Sequence, residues 1–441
     1  MSKSKRHILI DGYNLSLNKG TGVATYARNL SYQIKSLGYD ISVLYGNDGP
    51  NVNDDLLREI SFFDGPLESN RLLQFADYLK EAMLGPLNYR AHKIPITGRV
   101  IRHTFEAKLP YFDHIFNAKN VFRNSQNSFW LFRALSKVRF KDTPDLAHWT
   151  YPLPISLPKR PNIYTIHDLV PLRLPYTTLD NKRRYLRLIR TLVDKADHIV
   201  TVSENSKRDI MELTGIHESR ITNTYQSVEI PNKYMNQSID DLVREVEGTT
   251  GFQYKNYFLF WGSIEPKKNI NRIIQAYLAS DVKTPLVIVG AQSWKANAEL
   301  ALLGENQSNQ IIAARTSQRG ARKRIIRLDY LPFKSLISLI RGSKATIFPS
   351  LYEGFGLPVL EAMLLGTPVI TSNTSSLPEV VGDSAFLVNP YDTQEITSAI
   401  RTIDSDEGLR GQLVKKGLVQ AKIYSPEKYC ERLRPVYERF L

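Results

Sequence analysis

Two glutamates bracket a glycine turn in YEGFGLPVLE, from Tyr352 to Glu361. Pro358 suits the first turn of a helix and Gly366 a position just past its end. The amides of Gly356, Leu357 and Val359 then open that helix, unpaired and at the positive end of its dipole. Such a start suits an anion, above all a phosphate. Glu353 lies in the turn, where a carboxylate accepts from hydroxyls of a ligand lying over Gly354, Phe355 and Gly356. Glu361, further into the helix, accepts from hydroxyls further along the same ligand. A phosphate flanked by two polyols describes a nucleotide-sugar. GSIEPKKN adds a second contribution: the chain turns at Gly262 and Ser263, and Lys267 and Lys268 supply point charges for a diphosphate. The bland alternative is a pair of solvated glutamates around a structural turn.

The elements that must position these groups follow from apolar patterning. Ala345 to Pro349 and Thr367 to Ser372 read as buried strands on either side of the helix, which makes a parallel βαβ unit. Tyr257 to Trp261 is a strand feeding the lysine turn, with further strands at Leu286 to Val289 and Ile325 to Leu328. At the other end of the chain, strand His7 to Ile10, helix Val23 to Leu37 and strand Ile41 to Tyr45 open a doubly wound domain. Between the first two, Gly20-x-Gly22 is a fragment of a dinucleotide fingerprint whose third glycine position holds Thr25. Strands at Leu146 to Trp149 and Asn162 to Ile166 follow, the second running into His167-Asp168 at the carboxyl end of the sheet, where open α/β folds bind ligands. Lys182 to Arg190 is a basic amphipathic helix, and Ser203-Glu204-Asn205-Ser206 reads first as a helix cap and second as a ligand contact. The polar stretch Pro231 to Lys255 is expected to be an irregular linker, which gives domains 1–235 and 256–420 and a terminal helix over 421–441. Asp404-Ser405-Asp406 follows a helical segment and reads as a surface turn, so no metal site is indicated.

On these stretches the chain resembles the family-4 glycosyltransferases, retaining enzymes of the GT-B fold. SLYEGFGLPVLEAMLLGTPVITS is similar to their C-terminal signature, and TIHDLVPLRLP to a mannosyltransferase-like branch of bacterial polysaccharide and O-antigen synthesis. The resemblance spans nearly the whole chain. It implies an α/β fold of two Rossmann-like domains facing across a cleft, with a C-terminal helix crossing back to the N-terminal domain. It implies that Lys268 binds the donor phosphates, that His167 touches the donor sugar at the reaction centre, and that Gly22, with Gly20, lies under phosphates and sugar. Glu353 would hold sugar hydroxyls, Glu361 the ribose, and Asp329, Tyr330 and Leu331 the base. Many relatives carry arginine directly after the glycine where this chain has Ser263, so Lys267 stands as its substitute. The implied reaction moves a hexosyl unit, with GDP-mannose the expected donor, onto a hydroxyl of a glycan or lipid-linked oligosaccharide, without metal or cofactor.

A chain of 441 residues is too long for one core and divides into two or three domains. Cys430 is its only cysteine, which excludes an intrachain disulfide and suits a reducing compartment. The N-terminal apolar run, Ile8 to Ile10, is too short for a signal peptide, so a cytoplasmic location is expected. The net charge of +14 calls for an anionic partner. Between Arg90 and Lys141 stand eleven Lys or Arg against Glu106 and Asp113. That stretch is either a surface helix pair with core aromatics or a cationic, aromatic-edged face for the inner leaflet of the plasma membrane. No zinc pattern, helix-turn-helix or RNA-binding signature supports nucleic acid. The rivals are a GT-B nucleotide-sugar epimerase or phosphorylase and a basic membrane- or nucleic-acid-binding protein without catalysis.

Overall fold

The computed structural model describes residues 5–16, 22–48, 54–63, 88–100, 109–291, 296–300, 302, 325–329 and 331–441. In chain order the first strands are β1 (His7–Asp11), β2 (Asp40–Tyr45), β3 (Tyr89–Arg90), β4 (His92–Ile94), β5 (His114–Asn117), β6 (Ser136–Arg139), β7 (Leu146–Trp149), β8 (Ile155–Ser156), β9 (Asn162–Thr165), β10 (His198–Thr201) and β11 (Ile221–Asn223). Eight of them form one sheet in the order β11-β10-β9-β7-β1-β2-β5-β4, parallel except where β4 meets β5. The later strands β12 (Phe258–Trp261), β13 (Leu286–Val289), β14 (Ile325–Leu328), β15 (Ala345–Phe348), β16 (Val369–Ser372) and β17 (Phe386–Val388) form a second, all-parallel sheet in the order β14-β13-β12-β15-β16-β17. Ile8 to Ile10, Phe258 to Phe260 and Val369 to Ile370 are almost fully buried, as strands covered on both faces require.

In both sheets the strand order reverses next to the first strand: β1 lies between β2 and β7, and β12 between β13 and β15. Ligands of open α/β sheets bind at such switch points, outside the carboxyl ends of the strands. The loops that leave β1, β7, β12 and β15 carry Gly12, Thr150, the lysine turn and the glycine turn respectively. The lysine and glycine turns singled out from sequence thus lie at the switch point of the second sheet, whereas His167 follows β9, one strand beyond the switch point of the first.

The final helix, Pro426–Glu438, starts at a Ser425 cap that accepts from the Lys428 amide, and it returns to the N-terminal sheet. Its buried Tyr437 hydroxyl meets His148 Nδ1 at 2.7 Å, while His148 Nε2 meets Thr165 Oγ1 at 2.8 Å. Burial pushes the His148 imidazole down to about 3, so it is neutral and serves as a fixed polar strut.

Two expectations need correction. Residues 231–255 are not irregular: helices Asn232–Met235 and Ile239–Thr250 run there, the longer one capped by Ser238 and closed by Gly251 at φ +72°. Leu242 and Val246, four residues apart, form a buried stripe, and Val246 Cγ2 would be 2.9 Å from a Cβ on Gly342 of the neighbouring helix Phe333–Gly342. In the Arg90 to Lys141 stretch, strands β5 and β6 flank a helix, Val121–Phe132, whose Val121, Phe122 and Phe129 are core, in line with the reading that puts aromatics of this stretch in the core. Residues 101–108 of that stretch, with Arg102, lie outside the described residues. Asp404 is not part of a free surface turn, since Lys344 Nζ pairs with it at 2.7 Å and Thr284 Oγ1 donates to it at 2.6 Å.

Candidate active site

The lysine turn is set by backbone crowding. Gly262 has φ +135°, and its carbonyl oxygen lies 1.8 Å from where a Cβ on Gly290 would stand, so only glycine fits at 290. Pro266–Lys268 makes a single 3-10 turn, closed by Asn269 in the left-handed region. The Asn269 amide group donates to Pro349 O and Pro390 O, at 2.9 and 2.7 Å, which ties this turn to the loops after β15 and β17. Ser263 is exposed, and Lys267 O accepts from the Leu351 amide at 2.8 Å.

The glycine turn is held from beneath by two serines. The Glu353 amide donates to Ser375 Oγ at 3.1 Å, and the buried Ser376 hydroxyl reaches both Glu353 O and Phe355 O at 2.9 Å. Gly356, at φ +108°, heads the helix Leu357–Leu364. Its amide and that of Leu357 open the helix as expected. Val359 does not contribute an amide: its N–H donates to Gly356 O at 3.0 Å, because the first turn closes tightly after the N–H-free Pro358. The Phe355 side chain is buried edge-on to Tyr424, so only its backbone faces the turn.

Lys268 and Glu353 meet directly, Nζ to Oε1 at 2.6 Å, with side chains 12% and 11% exposed. Burial pushes the Glu353 carboxyl up, but Lys268 and Lys267 outweigh this and hold it below the usual carboxylate range. Burial likewise opposes the Lys267 charge, and Glu353, Glu265 and Asp168 overcome that opposition. Glu361 is different. Burial raises its carboxyl to about 7, with the Trp261 indole donation at 3.3 Å and the Lys268 charge pulling the other way.

The two halves touch at the turn itself. A Cβ on Gly354 would lie 2.9 Å from both Asp168 Oδ2 and His167 O, so glycine is required for the halves to close this far. A Cβ on Gly22 would lie 3.2 Å from Leu357 Cδ1. Ser203 caps the helix Glu204–Thr214, accepting from the Ser206 amide at 3.0 Å, and Ser206 Oγ reaches Gly354 O at 3.3 Å. The cap reading of that stretch is therefore met, and Ser206 also ties the start of this helix to the glycine turn of the other half.

His167 Nε2 donates to Thr150 O at 2.9 Å, which leaves Nδ1 as the acceptor nitrogen, and the ring stands edge-on to Tyr26 at 4.7 Å. Burial lowers its basicity, so the imidazole is neutral. The Thr150 amide in turn donates to the buried Asp11, whose carboxyl burial raises to about 6. Leu331 packs half-buried on the core beyond β14, and Asp329 is paired with Arg327. Gly20 and Tyr330 lie outside the described residues.

Sequence reasoning passed over four groups: Trp261, Tyr352, Ser375 and Glu379. Tyr352 donates to Asp209 and accepts from Asn205 Nδ2 at 3.0 Å. Glu379 accepts from the Glu204 and Asn205 amides at 2.9 and 3.1 Å. Two side chains of the second half thus hold the start of a helix of the first. Trp261 and Tyr352 lie in stretches already quoted, whereas Ser375 and Glu379 lie beyond the end of the signature at Ser372 and carried no signal of their own. Among the described residues no three His, Cys, Asp or Glu side chains lie close enough to hold a metal ion, and no helix is long and apolar enough to cross a membrane.

Residues 247–419 match the family described as glycosyl transferases group 1, and residues 100–229 match glycosyltransferase family 4. The chain is 32% identical over 271 residues to the O-antigen chain mannosyltransferase B of Escherichia coli, covering 60% of this chain and 67% of that protein. It is 28% identical over 280 residues to the O-antigen chain mannosyltransferase RfbU of Salmonella typhimurium, covering 63% and 69%. Against the serotype-specific mannosyltransferase WbdA of Escherichia coli it is 29% identical over 59% of this chain and spans only 31% of that longer protein. Among solved structures, the sucrose-phosphate synthase of Thermosynechococcus elongatus superposes with a TM-score of 0.65 at 15% identity, over 99% of both chains. HepE of Anabaena, in complex with UDP and glucose, superposes with a TM-score of 0.62 at 15% identity, over 98% of this chain and all of that one. These two show the GT-B fold.

Proposed function

The chain belongs to the family-4 glycosyltransferases, and from that premise we propose that it moves a mannosyl unit from GDP-mannose, with retention, onto a hydroxyl of a glycan in cell-surface polysaccharide synthesis. The observation that carries this reading is the buried Lys268–Glu353 pair beneath a helix start, facing His167 and Gly22 across the contact of the two halves. The names of the relatives support mannose and polysaccharide synthesis; family membership alone supports retention.

Each residue has a part. In the transfer, the bond from the anomeric carbon to the diphosphate breaks, a bond to the acceptor oxygen forms, and the proton of the acceptor hydroxyl passes to the departing diphosphate. Negative charge grows on the departing diphosphate, and Lys268 with the Gly356 and Leu357 amides neutralises it. A contact of this kind is worth about 3 kcal/mol, or 10² to 10³ in rate. Lys268 must exchange Glu353 for phosphate as the donor enters, and that exchange frees the Glu353 carboxylate for sugar hydroxyls. Lys267 remains beside Glu353 and keeps it charged. Neutral His167 presents Nδ1 to the sugar, and Trp261 aims Glu361 at the ribose.

The reading extends to location, with the enzyme at the inner face of the plasma membrane and a lipid-linked acceptor. Arg133, Lys137, Arg139 and Lys141 are exposed beside Leu131 and Phe132, apolar side chains that are 64% and 49% exposed. Helix Lys182–Lys195 adds exposed Arg183, Arg184, Arg187 and Arg190, and Arg184 stacks over Trp130 at 5.3 Å. Arginines around an apolar tip suit an anionic leaflet. The test of the donor assignment is a thermal-shift and hydrolysis screen of nucleotide-sugars. GDP-mannose should stabilise the protein most and be consumed. Selective response to a uridine or adenine nucleotide-sugar would overturn the donor, and no response to any nucleotide-sugar would overturn the whole reading.

A further inference from the structure

A groove of about 470 Å³ opens between the two halves beside the lysine turn. Lys267 lines it, whereas Lys268, Glu353 and Glu361 do not. Its polar wall is Asp168, Thr178 and Asp180 from the N-terminal half and Glu265 and Lys267 from the C-terminal half. Three carboxylates face one ammonium, the wrong balance for a diphosphate, so the donor's phosphates belong on the Lys268 side of the turn.

The wall has unused hydrogen-bonding capacity. Asp168 Oδ1 accepts from the Val170 amide at 3.0 Å, but Asp168 Oδ2 and both Asp180 oxygens meet no donor among the described residues. Thr178 Oγ1 is buried in the wall without a partner, and a buried polar atom of this kind calls for one. Val170, Pro171 and Leu179 add an apolar surface, with Leu179 75% exposed. Carboxylates, a hydroxyl and an apolar strip together match the hydroxyl edge and the C–H face of a sugar ring. The groove also adjoins the reaction centre, since Asp168 follows His167 and its Oδ2 packs against Gly354.

We propose that this groove receives the terminal sugar of the acceptor, and that this end is an uncharged polyol. The inference rests on the transferase reading above. Asp168 and Asp180 accept from acceptor hydroxyls, Thr178 completes its own bonding on the ring, and Lys267 donates to a ring or hydroxyl oxygen. A phosphorylated acceptor sugar is repelled by Asp168, Asp180 and Glu265, so any phosphate of a lipid-linked acceptor lies outside the groove.

The experiment uses the full chain with methyl glycosides of mannose, glucose, galactose and N-acetylglucosamine, and with methyl mannoside 6-phosphate. Saturation-transfer NMR at tens of millimolar reads binding, and transfer from the donor reads KM. At least one neutral glycoside should bind and the phosphorylated one should not. Asp180→Asn, an exposed and conservative change, should raise the KM for that glycoside, or its Kd by NMR, about tenfold or more, as loss of a hydrogen bond to a charged group requires. Thr178→Val should act in the same direction, while the donor KM stays within twofold in both variants. Asp180→Lys should turn preference toward the 6-phosphate. Absence of any glycoside binding to the wild type, or wild-type acceptor affinity in both Asp180→Asn and Thr178→Val, overturns the groove. The NMR arm needs no donor, so failure of the donor assignment shows separately as unchanged nucleotide-sugars beside intact glycoside binding.

Discussion

Replacing Lys268 by alanine separates its two duties. At 2.6 Å, an effective dielectric near 20 gives a gross attraction to Glu353 of roughly 6 kcal/mol, most of it offset by desolvation. Removing one partner of a buried pair typically costs about 3 to 5 kcal/mol, because the other charge is left uncompensated. Lys267 still faces Glu353, so the loss here should fall at the low end of that range. Lys268→Ala should therefore melt earlier in urea and also turn over about 10² to 10³ more slowly at saturating donor. Stability and catalysis are entangled in that single variant, and Lys268→Ala/Glu353→Gln resolves them. With the carboxylate neutralised, the stray charge is gone and the urea midpoint should recover toward that of Glu353→Gln. Turnover should not recover, and should remain about 10² below that of Glu353→Gln, because the departing diphosphate still lacks its cation. Equilibrium urea unfolding and initial rates of nucleotide release, measured on all four proteins, complete the cycle. A double variant as fast as Glu353→Gln would reduce Lys268 to a counter-ion and refute its role at the leaving group.

Glu353→Ala should depress kcat and loosen sugar selectivity, whereas Glu361→Ala should mainly raise the donor KM, since a ribose contact is made equally in ground and transition states; steady-state kinetics showing the reverse would exchange the roles. Glu361 titrates at about 7 in the folded chain, above its unfolded value, so its protonated form favours folding and stability drains away as pH rises from about 4.5 through 7. Glu361→Gln should remove that slope from urea midpoints between pH 5 and 8 and flatten a donor KM that otherwise improves as the carboxylate ionises; identical pH profiles in the two proteins would sink the assignment. Activity should survive excess EDTA, and a complete loss restored by Mg²⁺ or Mn²⁺ would contradict charge neutralisation by Lys268 and amides alone. Liposomes containing anionic lipid should float the protein at low salt, and charge reversal at Arg133, Lys137, Arg184 and Arg187 should abolish it. If the wild type stays at the bottom, or duplex DNA displaces it at equal charge, that surface has another partner.

The sequence by itself determined the local parts. Strands β1 and β12 were readable because three or four apolar residues in a row allow little else next to a glycine stop, β15 because a β-branched and aromatic run ends at Pro349, and Pro358 with Gly366 set both ends of the helix after the turn. The same patterning misread 231–255, since Leu242 and Val246 are a two-residue stripe in a polar run that becomes a buried face only against Phe333–Gly342. The candidate phosphate- and hydroxyl-binding groups were also readable as candidates, because Lys268, Glu353 and the glycines sit within short, local turns. Tertiary structure alone decided how those groups are charged and what they touch. Trp261 and burial set the ionisation of Glu361, and Lys268 with Lys267 sets that of Glu353, from partners distant in sequence. The closure of Gly354 on His167 and Asp168, and the groove beside it, exist only where two separate sheets meet. Apolar periodicity and turn residues act through neighbours along the chain, while dielectric, ion pairing and shape act through neighbours in space; a single sequence prints the first and leaves the second to the fold.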